Sequence, residues 1–67
     1  MLDVIHPSAA DVIEARAAAG DTQEAAAARL HISTRMWQRY EAGTAGMPAA
    51  YWELYLLKTN QLKEPRP

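Results

Sequence analysis

Residues 22–43 read TQEAAAARLHISTRMWQRYEAG, and this stretch decides the fold of the chain. The hydroxyl of Thr22 can cap a helix, and Gln23 and Glu24 follow in the first turn, where acceptors and acids are favourable. The alanine-rich run after them has a high helix propensity, and it predicts a helix that ends at Leu30.

A second helix follows almost at once. His31 and Ile32 break the helical period, and Ser33 offers a second cap before a short helix predicted over 34–42. Gly43 suits the left-handed position just after a helix end. Two short helices joined by so tight a turn must cross steeply, so residues 22–43 predict a helix-turn-helix.

Small and apolar residues occupy the positions expected at this crossing. Ala27 matters most, because only a small side chain lets two helix backbones cross closely at that point. The full set of predicted packing residues is Ala27, Leu30, Ile32, Trp37 and Tyr40.

The outward positions of the second helix carry donors rather than acids. They are Thr34, Arg35, Gln38 and Arg39, and no acid occurs anywhere from Ala25 to Tyr40. For any one of these residues a solvated surface is the simpler interpretation. Taken together with the spacing, they favour contact with the bases and phosphates of DNA.

The stretch resembles the DNA-binding core of the lambda-repressor/Cro-like (XRE-type) helix-turn-helix family, and the resemblance runs from about Arg16 to about Leu57. The matching residues are Thr22, Gln23, Ala26, Ala27, Leu30, Ile32, Ser33, Trp37, Tyr40, Glu41 and Gly43. The resemblance implies an all-α, compact bundle of four to five short helices with a central helix-turn-helix. It also implies that residues 33–41 form the recognition helix.

Six residues are therefore predicted to contact DNA: Gln23, Ser33, Thr34, Arg35, Gln38 and Arg39. Arg35 lies where its guanidinium would enter the major groove and pair with guanine, while Gln38 would favour adenine. Gln23, at the start of its helix, is expected to contact a phosphate together with free backbone N–H groups.

The chain departs from the family pattern in two places. His31 stands where glycine is usual, so we expect a positive φ there, at a cost on the order of 1 kcal/mol. Residues 44–47 read TAGM, whereas the family often has lysine or arginine in this loop for phosphate contact. This loop predicts weak clamping of the DNA backbone.

The family also implies an ion pair between Arg16 and Glu41, as opposed to a solvated arginine. Arg16 belongs to a first helix that Ser8 and Asp11 are predicted to cap, and that ends before Gly20. Its predicted apolar stripe comprises Val12 and Ile13, with Ala9 and Ala17 beside them. Residues 1–7 are predicted to form either an extended arm against the bundle or a frayed terminus.

A fourth helix is predicted from Pro48 onward, and it is apolar on more than one side. Tyr51, Leu54 and Leu57 fit a core stripe. The remaining large apolar residues, Trp52, Tyr55 and Leu56, are candidates for a homodimer interface, with completion of the core as an equal alternative. The domain is predicted to span 1–59, with 60–67 as a polar tail.

Composition narrows the classes of function. The 67 residues include no cysteine and two histidines, His6 and His31, so neither a metal site, a bound cofactor nor an enzyme active site is expected. We see neither a signal peptide nor a membrane span, and expect a cytoplasmic protein without membrane contact. The net charge of −1 is unusual for a DNA-binding protein and predicts modest affinity.

Three hypotheses of function follow. The first is a repressor or autoregulator of a small operon, of phage or mobile-element type, that binds operator DNA as a homodimer on an inverted repeat. The second is an antitoxin or anti-CRISPR-associated regulator that also binds a toxin or another protein partner. The third is a protein-binding bundle without DNA binding.

Overall fold

The computed structural model of the chain describes residues 6–61. This part of the chain contains four α-helices and no strand: α1 Ala9–Ala19, α2 Gln23–Arg29, α3 Thr34–Ala42 and α4 Ala49–Lys58. The expected all-α bundle is confirmed. None of the helices in residues 6–61 is long and apolar enough to cross a membrane.

A polar side chain caps the N-terminus of each of the first three helices, as the sequence predicts. In α1, Ser8 Oγ accepts from the backbone N–H of Asp11, while a carboxylate oxygen of Asp11 accepts from the N–H of Ser8, both at 3.0 Å. Thr22 accepts from the N–H of Ala25 at 3.0 Å, and Ser33 caps α3 in the same way. Each cap satisfies an N–H group that the helix itself leaves unpaired.

Two of these helices end at a glycine whose backbone adopts the left-handed conformation. Gly20 follows α1 with φ 74°, and Gly43 follows α3 with φ 80°. His31 has φ 58°, which confirms the positive φ expected in the turn between α2 and α3. The next N–H, that of Ile32, returns to the carbonyl of Ala27 at 3.1 Å and closes the turn.

The core lies where α1, α3 and α4 meet around the small residues of α2. Ala26 and Ala27 are almost completely buried, so the backbone of α2 approaches its neighbours closely. The rings of Trp37 and Tyr55 pack at 4.9 Å between centroids and are inclined by 50°. The buried residues are Val12, Ala15, Ala26, Ala27, Leu30, Trp37, Tyr40, Met47 and Tyr55.

The two predicted apolar stripes are confirmed only in part, since Val12 is buried and Tyr51 packs against the core but the other large members are exposed. In α1, Ile13 is 43% exposed and Ala17 is exposed, and the buried side of this helix runs through Val12 and Ala15. In α4, Leu54 and Leu57 are 37% and 43% exposed rather than buried.

Tyr55 takes the place of these leucines at the centre of the core. It is 0% exposed and its hydroxyl donates to Asp21 at 2.8 Å, so no part of it is available to another molecule. For Tyr55 the structure confirms the alternative, completion of the core, and contradicts a place in a dimer interface. Trp52 and Leu56 are half-buried and pack against the same core.

The boundaries of the domain also need correction. The side-chain amide of Gln61 donates to the carbonyl of Ala15 at 3.0 Å, and its backbone N–H donates to Leu56 at 2.7 Å. The folded part of the chain thus continues to at least Gln61, beyond the predicted end at residue 59. The predicted arm over 1–7 lies mostly outside the described residues, as does the predicted tail from residue 62 onward.

Candidate nucleic-acid interface

The solvent-facing side of α3 gathers four of the six residues predicted to contact DNA. Thr34, Arg35, Gln38 and Arg39 are spaced by three and four residues, so their side chains leave the helix on one face. Arg35, Gln38 and Arg39 are exposed, and Thr34 is half-buried. We call these four residues the α3 face.

The opposite side of α3 holds the helix in place. Trp37 and Tyr40 are buried against the core, so the axial rotation of α3 is fixed. Ser33 is exposed, and its hydroxyl accepts from the N–H of Met36 at 3.1 Å. The side chain of Ser33 therefore already serves as the cap of α3.

Charge is distributed unevenly over the described surface. Within residues 6–61 neither Arg35 nor Arg39 forms a salt bridge, and the α3 face carries no acid. The exposed acids lie on the other three helices: Asp11, Glu14, Glu24 and Glu53. The two remaining acids of this part, Asp21 and Glu41, are each paired with an arginine. A net charge near zero therefore coexists with a locally positive α3 face.

The ion pair between Arg16 and Glu41, implied by the resemblance, is present. Arg16 donates through Nε and Nη2 to the two carboxylate oxygens, so the contact is bidentate and ties α1 to the end of α3. The Trp37 indole N–H donates to the same carboxylate at 2.6 Å. Burial alone would raise the pKa of Glu41, but these donors outweigh it and lower the pKa.

Gln23 lies between this ion pair and the α3 face. Its Nε2 donates to Oε1 of Glu41 at 2.9 Å, and its Oε1 accepts from Nε2 of Gln38 at 3.1 Å. The side chain is half-buried and both ends of its amide are engaged within the protein. The predicted phosphate contact of Gln23 stays a prediction, and the structure adds a second task for this residue.

A second charged cluster was not anticipated from the sequence. Asp21 accepts from Nε and Nη2 of Arg29 at 2.7 and 3.1 Å, and also from the hydroxyl of Tyr55. The hydrogen bonds from Arg29 are the main reason that the pKa of Asp21 is lowered, with burial acting in the opposite direction. Burial, and then the nearby carboxylate, raise the pKa of Tyr55. This cluster locks the turn before α2 to the end of α2 and to α4.

The loop after α3 contributes apolar contacts rather than charge. Met47 is 1% exposed and belongs to the core, and its carbonyl lies 3.0 Å from Nδ1 of His6. Thr44 caps the end of α3 by donating from its N–H and its hydroxyl to the carbonyl of Arg39. The loop thus fixes the end of the α3 face and brings no cation to it.

The outer side of α4 presents the most exposed large apolar residues of this helix. Leu54 and Leu57 lie three residues apart, with Ala50 also exposed on that side. Trp52 and Leu56 face the other way and line a cleft of about 330 Å³ against α1. Leu54 and Leu57 are therefore the large apolar residues that α4 exposes to solvent, whereas the predicted interface residues Trp52, Tyr55 and Leu56 are buried or half-buried.

Within residues 6–61 no group of three or more histidine, cysteine, aspartate or glutamate side chains is arranged to hold a metal ion. No protein-family model matches the chain, and no curated protein is significantly similar to it.

Proposed function

We propose that this chain is a sequence-specific DNA-binding transcriptional regulator, similar in kind to the lambda-repressor/Cro-like proteins. The observation that carries the proposal is the α3 face: two arginines, a glutamine and a threonine stand on one exposed side of a helix. Its other side is fixed in the core. Such a helix is the element that a helix-turn-helix places in the major groove.

The side chains of the α3 face suit different parts of DNA. Arg35, near the start of the helix, would pair through its guanidinium with O6 and N7 of guanine, while Gln38 would read a neighbouring adenine. Thr34 would contact an adjacent base or sugar. Arg39, one turn after Arg35, would approach a phosphate, because it lies toward the end of the helix that leaves the groove.

A homodimer on an inverted repeat follows from the size of the reading surface. One recognition helix covers a few base pairs, and helix-turn-helix proteins gain selectivity by placing two helices about 34 Å apart. The exposed pair Leu54 and Leu57 supports α4 as the contact, because removing exposed apolar surface from water on association is favourable. The same pair would equally serve a protein partner, which keeps the antitoxin-like function as the alternative.

The charge distribution supports weak rather than tight binding. The loop over 44–47 provides no cation, so phosphate contacts rest on few side chains. A small number of phosphate contacts predicts a shallow dependence of affinity on salt, because each one releases about one counterion. A regulator of this kind would act in the cytoplasm, where its DNA is found.

Selection of duplexes from a random pool, followed by fluorescence anisotropy on the enriched sequence, tests the proposal. Arg35→Ala should lose about 1–3 kcal/mol of discrimination at one base pair per half-site. Arg39→Ala should weaken binding to all duplexes alike. The control is Lys58→Ala, which removes one exposed positive charge from α4 together with its 2.7 Å hydrogen bond to the carbonyl of Arg29. Circular dichroism checks that this variant is folded, and its sequence preference should be unchanged.

Failure of the pool to converge on any sequence would overturn the proposal. So would an enriched sequence whose binding is insensitive to Arg35→Ala and Arg39→Ala but is weakened by Lys58→Ala. In that case the face of α4, rather than the α3 face, would carry the interaction.

A further inference from the structure

We propose that Glu41 and Gln23 orient the side-chain amide of Gln38 so that it reads adenine. Gln23 then acts as a positioning residue for base recognition and not chiefly as a phosphate contact. The inference rests on the proposed function and deepens it, since it specifies an A·T pair in the half-site and a second residue that determines it.

The direction of each hydrogen bond in this chain is fixed by the carboxylate at its inner end. An ionised carboxylate only accepts, so the group that Gln23 turns toward Glu41 must be its NH₂. The carbonyl oxygen of Gln23 then necessarily points the other way, toward Gln38. Because that oxygen accepts, Gln38 must present its own NH₂ to it, at the observed 3.1 Å. The orientation of both amides is thus set by Glu41.

The carboxylate of Glu41 is held by groups that can only donate hydrogen bonds. Arg16 and the indole of Trp37 are donors without acceptor capacity, and both bind Glu41. Together with Gln23 they supply donors to both of its oxygens. Glu41 lies on α3 itself, so the chain of contacts begins and ends on the reading helix and passes through the first residue of α2.

The part of the Gln38 amide that stays unbound has the pattern of an adenine reader. In the proposed arrangement Gln23 takes the N–H that lies trans to the carbonyl oxygen of Gln38. The N–H cis to that oxygen and the oxygen itself then remain side by side on the exposed edge. Adenine offers the complementary pair in the major groove, an acceptor at N7 and a donor at N6. Guanine offers two acceptors, so the carbonyl of Gln38 would face O6 or N7 without a hydrogen.

Fixing this side chain before binding also lowers the entropic cost of binding. A free glutamine side chain loses rotamer entropy when it is ordered. In this structure part of that loss occurs on folding, because Gln38 is already bound to Gln23. A preorganised amide therefore gains selectivity and affinity for adenine relative to a freely rotating one.

Two substitutions of Gln23 separate orientation from phosphate contact. Gln23→Met removes both hydrogen bonds at nearly constant size. Gln23→Lys keeps a donor for Glu41, and so preserves the fold, but offers no acceptor to Gln38. Circular dichroism during heating establishes that each variant is folded, and Gln61→Met serves as the control for loss of a glutamine elsewhere.

The first measurement uses the free protein and needs no DNA. In ¹⁵N-labelled protein the side-chain NH₂ signals of Gln38 should move and become more mobile in Gln23→Met and Gln23→Lys, while Gln61→Met leaves them unchanged. Unaltered Gln38 signals in both Gln23 variants would show that Gln23 does not orient the Gln38 amide, and would overturn the inference.

The second measurement compares base preference on duplexes that differ at the base pair assigned to Gln38. Gln38→Ala should lose about 5- to 150-fold of preference for adenine, and Gln23→Lys about 2- to 10-fold at the same base pair. The double variant should lose no more than Gln38→Ala alone. A phosphate contact predicts instead that Gln23→Lys binds every duplex at least as tightly with its preference intact, and this result would overturn the inference.

The two proposals fail in different ways. If the wild-type chain shows no preference for any duplex, the proposed function and the reading of adenine are both wrong. The amide signals of Gln38 would still show whether Gln23 orients it. If wild-type binding is sequence-specific and only the Gln23 variants behave as phosphate-contact mutants, the proposed function stands and this inference does not.

Discussion

Replacing Tyr55 with phenylalanine removes one hydroxyl from the centre of the bundle and leaves the aromatic ring in place. The ring is 0% exposed and packs on Trp37, so the packing energy should change little. What disappears is a 2.8 Å hydrogen bond to the Asp21 carboxylate. Hydrogen bonds to charged groups contribute about 1.5–3 kcal/mol, and Arg29 continues to bind Asp21.

We therefore expect the free energy of unfolding to fall by about 1.5 kcal/mol, the lower end of that range. For a domain of this size this corresponds to a fall in Tm of roughly 6–12 °C. Thermal and urea denaturation followed by circular dichroism measure it. The matched control is Tyr51→Phe, which removes a hydroxyl from a half-buried tyrosine one turn earlier in α4. Its Tm should change much less.

The difference between wild type and Tyr55→Phe should depend on pH. The folded state lowers the pKa of Asp21, so the stability this group contributes is present above its unfolded pKa and is lost as pH falls through the folded value. The hydrogen bond from Tyr55 contributes to the lowered pKa of Asp21, and Tyr55→Phe removes that contribution. The difference in free energy of unfolding between wild type and Tyr55→Phe should therefore become smaller below about pH 4. Equal Tm values for the Tyr55→Phe and Tyr51→Phe variants at pH 7 would refute this account of the Asp21 cluster.

Two further substitutions test the helix crossing and the α4 surface. Ala27→Leu should lower the free energy of unfolding by about 1–3 kcal/mol, because it overpacks a site that is 1% exposed. The control Ala28→Leu, on the exposed side of α2, should be nearly neutral. Equal denaturation midpoints for the two variants would contradict the close crossing of α2 and α3. The pair Leu54→Glu and Leu57→Glu should give folded monomers in sedimentation velocity, with Ala17→Glu as the control; a persistent dimer would place the interface elsewhere.

Much of the local structure could be predicted because its causes are local. Ser8, Thr22 and Ser33 each cap a backbone N–H three residues ahead, and Gly20 and Gly43 each end a helix by adopting a positive φ. These signals depend on a few adjacent residues, so periodicity and turn chemistry locate them directly. The Arg16–Glu41 pair came from the resemblance rather than from any local signal.

The arrangement of α4 could not be predicted in the same way. Its sequence is apolar on nearly every side, so hydrophobicity gives no preferred rotation about the helix axis. A leucine is the more common core residue, yet Tyr55 is buried because Asp21 lies within reach of its hydroxyl. That partner is 34 residues away in the chain, and no sequence periodicity connects the two.

The polar contacts of the candidate site were missed for a related reason. The position of Gln23 at a helix start predicts a phosphate contact by itself. Its contacts with Glu41 and Gln38 span 18 and 15 residues, and they exist only once α2 and α3 have crossed. Met47 follows a loop without cations, and nothing in its local sequence indicates that its side chain completes the core.

Amide and side-chain chemical shifts of the ¹⁵N-labelled protein, recorded during titration with an enriched duplex, test the central claim most directly. The account predicts that the largest changes fall within residues 33–42 and on the guanidinium signals of Arg35 and Arg39, with small changes along α1. Changes centred on α1 or on the outer side of α4, with α3 unaffected, would contradict the assignment of the α3 face to DNA.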